Sequence, residues 1–111
     1  MSIDPITATH ETFAPFVGQR FTVQGPGGPL PLVLDNVKLF SEATRRDNHL
    51  EIDGVVYPPR RAFALTLEGP KDPLLPDAIY TVDLPGGDRL DLYVKPFRQD
   101  HDCTLYEVVF N

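Results

Sequence analysis

The chain has 111 residues with 12 prolines, 8 glycines and one cysteine, and its formal net charge is −6 at pH 7. This length suits one domain with a single hydrophobic core. The negative charge argues against a general nucleic-acid binder, which needs a positive field over phosphates, and against electrostatic attachment to an anionic membrane. A single cysteine excludes an intramolecular disulfide bond.

The first ten residues carry no basic region and no apolar run, so they do not resemble a secretory signal. No stretch approaches the roughly 20 apolar residues of a membrane-spanning helix. We therefore expect a soluble cytoplasmic protein with no membrane or nucleic-acid partner, although export within a larger assembly stays open. The proline content is about double the usual share and favours many short strands joined by stiff turns.

One short helix is predicted near the start of the chain. Thr9 can act as its N-cap and Gly18 as the residue that ends it. Phe13 and Phe16 share one face of this helix, and Pro15 limits it to a turn or two. We expect the helix to plug one end of a sheet or barrel.

Two strands are predicted next, at Arg20–Gln24 and Pro31–Phe40, with a turn at Gly25–Pro29 between them. The apolar residues of the second strand change parity half-way along it. This change predicts a β-bulge near Asp35 and Asn36, and a bulge favours the curvature of a barrel.

Residues 41–61 are the least regular part of the chain. Within them, Leu50–Ile52 and Val55–Tyr57 flank Asp53-Gly54, a strong short-range hairpin signal. We interpret the segment as an irregular excursion that contains a small hairpin. Four arginines bracket the hairpin and are interpreted as solvated charges rather than an anion clamp: Arg45, Arg46, Arg60 and Arg61.

The remaining strands are predicted at Phe63–Leu67, Ile79–Leu84, Leu90–Val94 and Tyr106–Asn111. Gly69 and Pro70 are expected to stop the first of these, and residues 73–77 to form a loop. Altogether the pattern predicts an all-β protein in which residues 1–111 form a single domain. Its expected architecture is a small antiparallel barrel or rolled sandwich of about six strands with one short N-terminal helix.

The hairpin formed by the strands at Ile79–Leu84 and Leu90–Val94 permits a prediction of register. A loop of three or five residues pairs apolar with apolar residues: Leu84 with Leu90, Val82 with Leu92, and Tyr80 with Val94. Asp83 and Asp91 would then face each other on the outer side. Two facing carboxylates could bind a cation or share a proton, which would raise one pKa; alternatively, nearby cations and solvent screen them.

The aromatic residues are expected mainly in the core: Phe13, Phe16, Phe21, Phe63, Tyr80, Phe97 and Phe110. Tyr93 falls on the outer face of the predicted hairpin. It is the aromatic side chain most available to a partner.

Five blocks of the sequence form a recognisable series: Phe16–Phe21, Phe63–Pro70, Pro76–Tyr80, Leu90–Pro96 and the closing Tyr106–Asn111. Together they resemble one family of small bacterial proteins of unknown function, DUF6916. The resemblance implies no established chemistry. It associates the chain with gene neighbourhoods that encode phage-tail-collar-like proteins, and it makes residues 41–61 an insertion relative to the family pattern.

The tetrapeptide at residues 100–103 carries His101 and Cys103, which would point the same way in an extended segment. Both can bind a metal, but a stable site needs three or four ligands, and His10 and His49 stand alone. A Cys103 nucleophile with His101 as base lacks a third group to orient the base. We therefore interpret this segment as a polar loop and predict no catalytic, cofactor-binding or metal-binding residues.

Two functions remain in view. The first is a non-catalytic protein-interaction or structural accessory module, which would bind a protein partner or itself if the closing strand or the 41–61 excursion lies at a sheet edge. The alternative is a small-ligand-binding β-barrel, or an enzyme built on one, which requires an apolar cavity with a few polar groups.

Overall fold

The computed structural model of the chain describes residues 3–4, 7–40, 50–52, 55–57 and 62–110. Helix α1 (His10–Phe13) and a 3₁₀ turn (Ala14–Phe16) precede the strands, which are β1 (Arg20–Gly25), β2 (Gly28–Leu39), β3 (Leu50–Ile52), β4 (Val55–Tyr57), β5 (Phe63–Pro70), β6 (Ala78–Asp83), β7 (Arg89–Gln99) and β8 (Cys103–Phe110). In the order β1-β2-β5-β8-β7-β6, six strands form a closed antiparallel barrel. The prediction of a small antiparallel barrel is thereby confirmed.

The predicted hairpin in the excursion forms a separate two-stranded sheet, β3 with β4, in which Ile52 pairs with Val55. Its turn residues, Asp53 and Gly54, lie outside the described residues, as do the four arginines at positions 45, 46, 60 and 61. Among the residues that the structure describes, no helix is long and apolar enough to cross a membrane.

The barrel interior is filled by side chains at alternate strand positions, because successive residues of a strand face opposite sides of the sheet. The largest fully buried side chains contributed by the strands are Phe21, Val23, Leu32, Leu34, Phe63, Leu65, Leu67, Val82, Val94, Tyr106 and Val108. These residues form one cluster together with side chains from both ends of the barrel.

Helix α1 plugs the end of the barrel at which β5 begins and β8 ends. Phe13 is fully buried, with its ring centroid 5.9 Å from that of Phe63 and 5.1 Å from that of Phe110. The backbone N–H of Thr9 donates to Thr12 Oγ1 at 3.0 Å, which holds the first turn. The predicted plug is therefore confirmed.

The other end, where β5 ends and β8 begins, is closed by the loop between β5 and β6. Leu75 in this loop is buried, and its backbone N–H donates to the hydroxyl of buried Tyr106 at 3.0 Å. The Tyr80 hydroxyl donates to the carbonyl oxygen of Pro76 at 2.5 Å. These two bonds fix the loop against the barrel interior.

The predicted bulge in β2 is confirmed. The register between β2 and β5 shifts between Leu34 and Asn36, so Asp35 is the extra residue. A second shift, between Pro96 and Arg98 of β7, was not predicted. Phe97 lies at this shift and is 50% exposed, so its assignment to the core is wrong.

Strand β5 runs through Gly69 and Pro70, which were expected to stop it. Both residues pair with β8, opposite Thr104 and Cys103. Gly69 occupies an inward position at which an added Cβ would overlap the Cδ2 atom of Leu32. The glycine is required by this close approach rather than by a turn.

Facing prolines end two of the strand ladders. The ladder between β2 and β5 ends at the pair Val33 with Glu68. If the same register continued, the next hydrogen-bonded pair would be Pro31 with Pro70. In the β6–β7 hairpin, the ladder reaches Ala78 and Val94, and the next such position would oppose Pro76 and Pro96. Neither residue of either pair has an N–H, so both ladders stop there.

Strand β8 lies in the barrel wall between β5 and β7. It makes eight residue pairs with β5 and four with β7. Among the described residues, positions 104–107 are therefore paired on both sides, whereas positions 108–110 are paired with β5 alone.

Candidate functional site

The β6–β7 hairpin carries the carboxylate pair proposed from the sequence, and its turn determines their positions. The Leu84 N–H donates to the Asp88 carbonyl oxygen at 2.8 Å, and the Gly87 N–H donates to the Leu84 carbonyl oxygen at 3.1 Å. Gly87 has φ +95°, a left-handed conformation that favours glycine. The loop thus has three residues, 85–87, and combines a tight turn with a left-handed glycine.

This loop sets a register two residues away from the predicted one. Val82 pairs with Leu90 and Tyr80 with Leu92, so the predicted odd loop and the apolar inner face are confirmed but the individual pairings are wrong. The two aspartates do not face each other: Asp83 is opposite Arg89, and Asp91 is opposite Thr81.

Asp83 instead joins three strands on the outer face of the barrel. Arg89 Nε of β7 lies 2.6 Å from Asp83 Oδ1, and Gln24 Nε2 of β1 donates to Asp83 Oδ2 at 2.7 Å. The hydrogen bond from Arg89, followed by that from Gln24, lowers the pKa of Asp83. A raised pKa was expected from facing carboxylates, and the observed pairing with a cation reverses that expectation.

Asp91 has a neutral partner. The Thr81 hydroxyl donates to Asp91 Oδ1 at 2.9 Å across the β6–β7 pair. No second carboxylate is opposite Asp91 in the register between β6 and β7, so the predicted sharing of a proton between Asp83 and Asp91 is not possible in this arrangement.

His101 and Cys103 lie at the turn between β7 and β8. They border an open cleft of about 800 Å³, lined by Glu68, Lys71, Gln99, Asp100, His101, Asp102 and Cys103. The thiol Sγ lies 4.0 Å from Asp100 Oδ2, and partial burial together with Glu68 and Asp100 raises the pKa of Cys103. A nucleophilic cysteine needs the opposite shift, because the thiolate is the reactive form.

The polar loop predicted before the last strand is therefore observed at this turn. Among the residues described by the structure, no three His, Cys, Asp or Glu side chains are grouped so that they could hold a metal ion. His10 is the first residue of α1, and His49 lies outside the described residues.

A second open cleft, of about 530 Å³, lies between the N-terminal segment and the β6–β7 turn. Its lining residues are Ile3, Asp4, Thr7, Ala8, Thr12, Phe16, Gly86 and Asp88. The backbone N–H of Ile3 donates to Asp88 Oδ1 at 3.0 Å and ties the two sides of the cleft together.

The outer face of the same hairpin carries an exposed apolar pair, Ile79 and Tyr93, which are directly opposite each other in the register. Ile79 is 71% exposed and Tyr93 is 52% exposed. The Tyr93 hydroxyl donates to Asp77 Oδ2 at 2.8 Å, which fixes the orientation of its ring. The predicted outward position of Tyr93 is confirmed, and we refer to these two residues as the Ile79–Tyr93 pair.

Ile79 was not singled out from the sequence, although a signal was present. The inward residues of β6 are Tyr80 and Val82, so an isoleucine at position 79 is apolar at an outward position. A large apolar side chain on the outward face of a strand indicates a candidate interaction surface.

The comparison with known families agrees with the blocks quoted from the sequence. The family model described as a domain of unknown function, DUF6916, matches residues 8–110. The chain belongs to the DUF6916 family. For this DUF6916 protein, the matched range includes all six barrel strands and α1. No curated protein and no solved structure matches the chain.

Proposed function

We propose that this DUF6916 protein is a non-catalytic protein-interaction or structural accessory module. The observation that carries the proposal is the Ile79–Tyr93 pair, two large apolar side chains that project from paired strands while their inward neighbours Tyr80 and Leu92 are buried. When a partner covers neighbouring aromatic and aliphatic side chains, removal of their apolar surface from water lowers the free energy of the complex.

The filled interior supports this proposal over the alternative, a barrel that binds a small ligand in its lumen. Inward side chains from all six barrel strands belong to one buried cluster. The two clefts described above are open and lie at the two ends of the barrel wall, and of their lining residues only Ala8 belongs to this cluster. A ligand-binding barrel, or an enzyme built on one, requires an enclosed apolar cavity with convergent polar groups.

The chemistry of the candidate groups also supports a non-catalytic module. The pKa of Cys103 is raised, which keeps the thiol protonated, and Asp83 is bound by Arg89 and Gln24 on the outer face. Neither group has the activated protonation state that nucleophilic or general acid–base catalysis needs at neutral pH.

The identity of the partner is a further part of the proposal. Association with phage-tail-collar-like proteins rests on the family resemblance, and self-association remains the other form of the same proposal. Either partner would cover the Ile79–Tyr93 pair.

The test is affinity capture of the tagged full chain from its own cells, quantified by mass spectrometry for three forms of the protein. Ile79→Ser removes the apolar side chain from the pair, whereas Leu74→Ser removes another exposed apolar side chain, which is 50% exposed, from the loop before β6. We expect the same partner to be enriched by the wild type and by Leu74→Ser and lost from Ile79→Ser. Equal capture by all three forms, or no enrichment by any, would overturn the proposal.

A further inference from the structure

The cleft between the N-terminal segment and the β6–β7 turn combines an apolar surface with negative charge. Ile3, Ala8 and Phe16 supply the apolar part of its lining, and the charged side chains among the described lining residues are Asp4 and Asp88. Its volume of about 530 Å³ is sufficient to admit a long side chain. We call this site the Asp88 cleft.

Gly86 leaves free space within the Asp88 cleft. A Cβ atom at this position would lie 3.9 Å from Phe16 Cζ and 4.0 Å from Asp88 Oδ2, so it would occupy the space between the ring and the carboxylate. The left-handed residue of the turn is Gly87, and the φ of Gly86 is not positive. The backbone of the turn therefore does not require glycine at position 86.

The two carboxylate oxygens of Asp88 are placed differently. Oδ1 accepts the hydrogen bond from the Ile3 N–H at 3.0 Å, which orients the carboxylate, whereas Oδ2 is the oxygen near Gly86. Arg89, the next residue along the chain, forms its ion pair with Asp83 on the outer face. Among the residues that the structure describes, no lysine, arginine or histidine forms an ion pair with Asp88.

The charge and the apolar lining of the cleft together indicate its occupant. The carboxylates of Asp4 and Asp88 attract a cationic group and repel an anionic one. Lysine and arginine side chains carry a cation on an aliphatic stem, and such stems are readily buried along apolar surface. The aromatic ring of Phe16, which is held by an edge contact with the Phe21 ring, adds attraction for a cation.

We propose that the Asp88 cleft binds a lysine or arginine side chain of a partner protein. The ammonium or guanidinium group donates to Asp88 Oδ2, and the aliphatic stem lies against Ile3 and Phe16. The partner is a different protein, because a second copy of the chain would bring its own charge of −6 to an acidic site.

This inference rests on the proposed function and names the anchoring group of the partner. The cleft lies at the turn of the hairpin that carries the Ile79–Tyr93 pair. Ile79 is four residues before Asp83, the last residue of β6, which is roughly 14 Å along the strand. A single partner can therefore contact both places.

The binding test is an NMR titration of the full chain, labelled with ¹⁵N, with the peptide acetyl-Ser-Gly-Lys-Gly-Ser-amide. We expect saturable shifts of the Ile3, Gly86 and Gly87 amide signals, with a Kd on the order of 1 mM for a single side chain. Norleucine in place of lysine keeps most of the stem without the charge, and glutamate reverses the charge. Both of these peptides should bind about fivefold more weakly or less.

Three variants test the residues of the cleft. Asp88→Asn removes the charge but keeps an oxygen that can accept from the Ile3 N–H, and it should weaken binding of the lysine peptide about fivefold or more. Asp91→Asn is the matched control, because it makes the same change on the same hairpin outside the cleft, and it should leave the affinity unchanged. Gly86→Ala fills part of the cleft at ordinary contact distances and should also weaken binding.

The peptide comparison uses the wild-type protein, so it decides the question even if a variant fails to fold. Equal binding of the lysine and norleucine peptides, an unchanged affinity of folded Asp88→Asn, or the absence of saturable shifts would refute the inference. Dimers in sedimentation that Asp88→Asn abolishes would identify a second copy as the occupant and also refute it. If the lysine peptide does not bind while Ile79→Ser still loses its captured partner, the proposed function survives and only the inference fails.

Discussion

Replacement of Phe13 by alanine tests whether the short helix belongs to the cooperative core. The Phe13 ring is fully buried and contacts two stacked rings, those of Phe63 and Phe110. Truncation of a buried phenylalanine costs about 3–5 kcal/mol through lost transfer free energy and the cavity left behind. This is a large part of the ~5–15 kcal/mol by which a domain is usually stable.

Urea unfolding followed by circular dichroism measures the effect. With a urea m-value of about 1.5 kcal/mol/M, Phe13→Ala should lower the unfolding midpoint by about 2–3 M. Phe97→Ala is the matched control, because it makes the same chemical change at a half-exposed ring and should cost about 1 kcal/mol or less. If both variants lose the same stability, α1 is not part of the cooperative unit and the plug has no energetic role.

Three further predictions concern hydrogen bonds and charge. Tyr106→Phe leaves the buried N–H of Leu75 without its partner and should lower the free energy of unfolding by about 1–3 kcal/mol in the same urea assay; a loss below about 0.5 kcal/mol would show that water replaces the hydroxyl. The pKa of Asp83 is lowered on folding, so its contribution to stability is complete above the unfolded pKa and is lost as the pH falls below about 4. Between about pH 6 and pH 2, the melting temperature should therefore fall less steeply for Asp83→Asn than for the wild type. Identical slopes would contradict the ion pair with Arg89. Burial and nearby carboxylates raise the pKa of Cys103, so iodoacetamide at neutral pH should modify it more slowly in the folded protein than in urea, and a faster reaction in the folded protein would mean that the thiol is activated.

Much of the barrel could be predicted because its signals are local. Period-two alternation identified the strands, and the change of parity in β2 identified the bulge at Asp35. The Asp53-Gly54 dipeptide identified the small hairpin, whose strands begin and end as predicted. Each of these features depends on residues within a few positions of one another.

The predictions were wrong where the position of a side chain depends on the exact loop length or on a residue far away in the sequence. An odd loop of three residues and one of five give the same buried face, and only the left-handed Gly87 selects three, which moves Asp83 opposite Arg89. Gln24, the other partner of Asp83, comes from a strand far away in the sequence. Phe97 is exposed because a register shift interrupts the inward–outward alternation of β7. Unlike the bulge in β2, this shift is not marked by a change in the alternation of apolar residues in the sequence.

The position of β8 within the barrel wall has a kinetic consequence. Strands β1, β2 and β5 can pair as soon as they are synthesised. The second neighbour of β5 in the barrel is β8, which is synthesised after β6 and β7, so one side of β5 stays unpaired until then. Until β8 leaves the ribosome, the apolar faces of β5 and of the β6–β7 hairpin have no common strand between them. Non-local pairing of this kind slows folding, so the nascent barrel should depend on chaperones more than a meander of the same size.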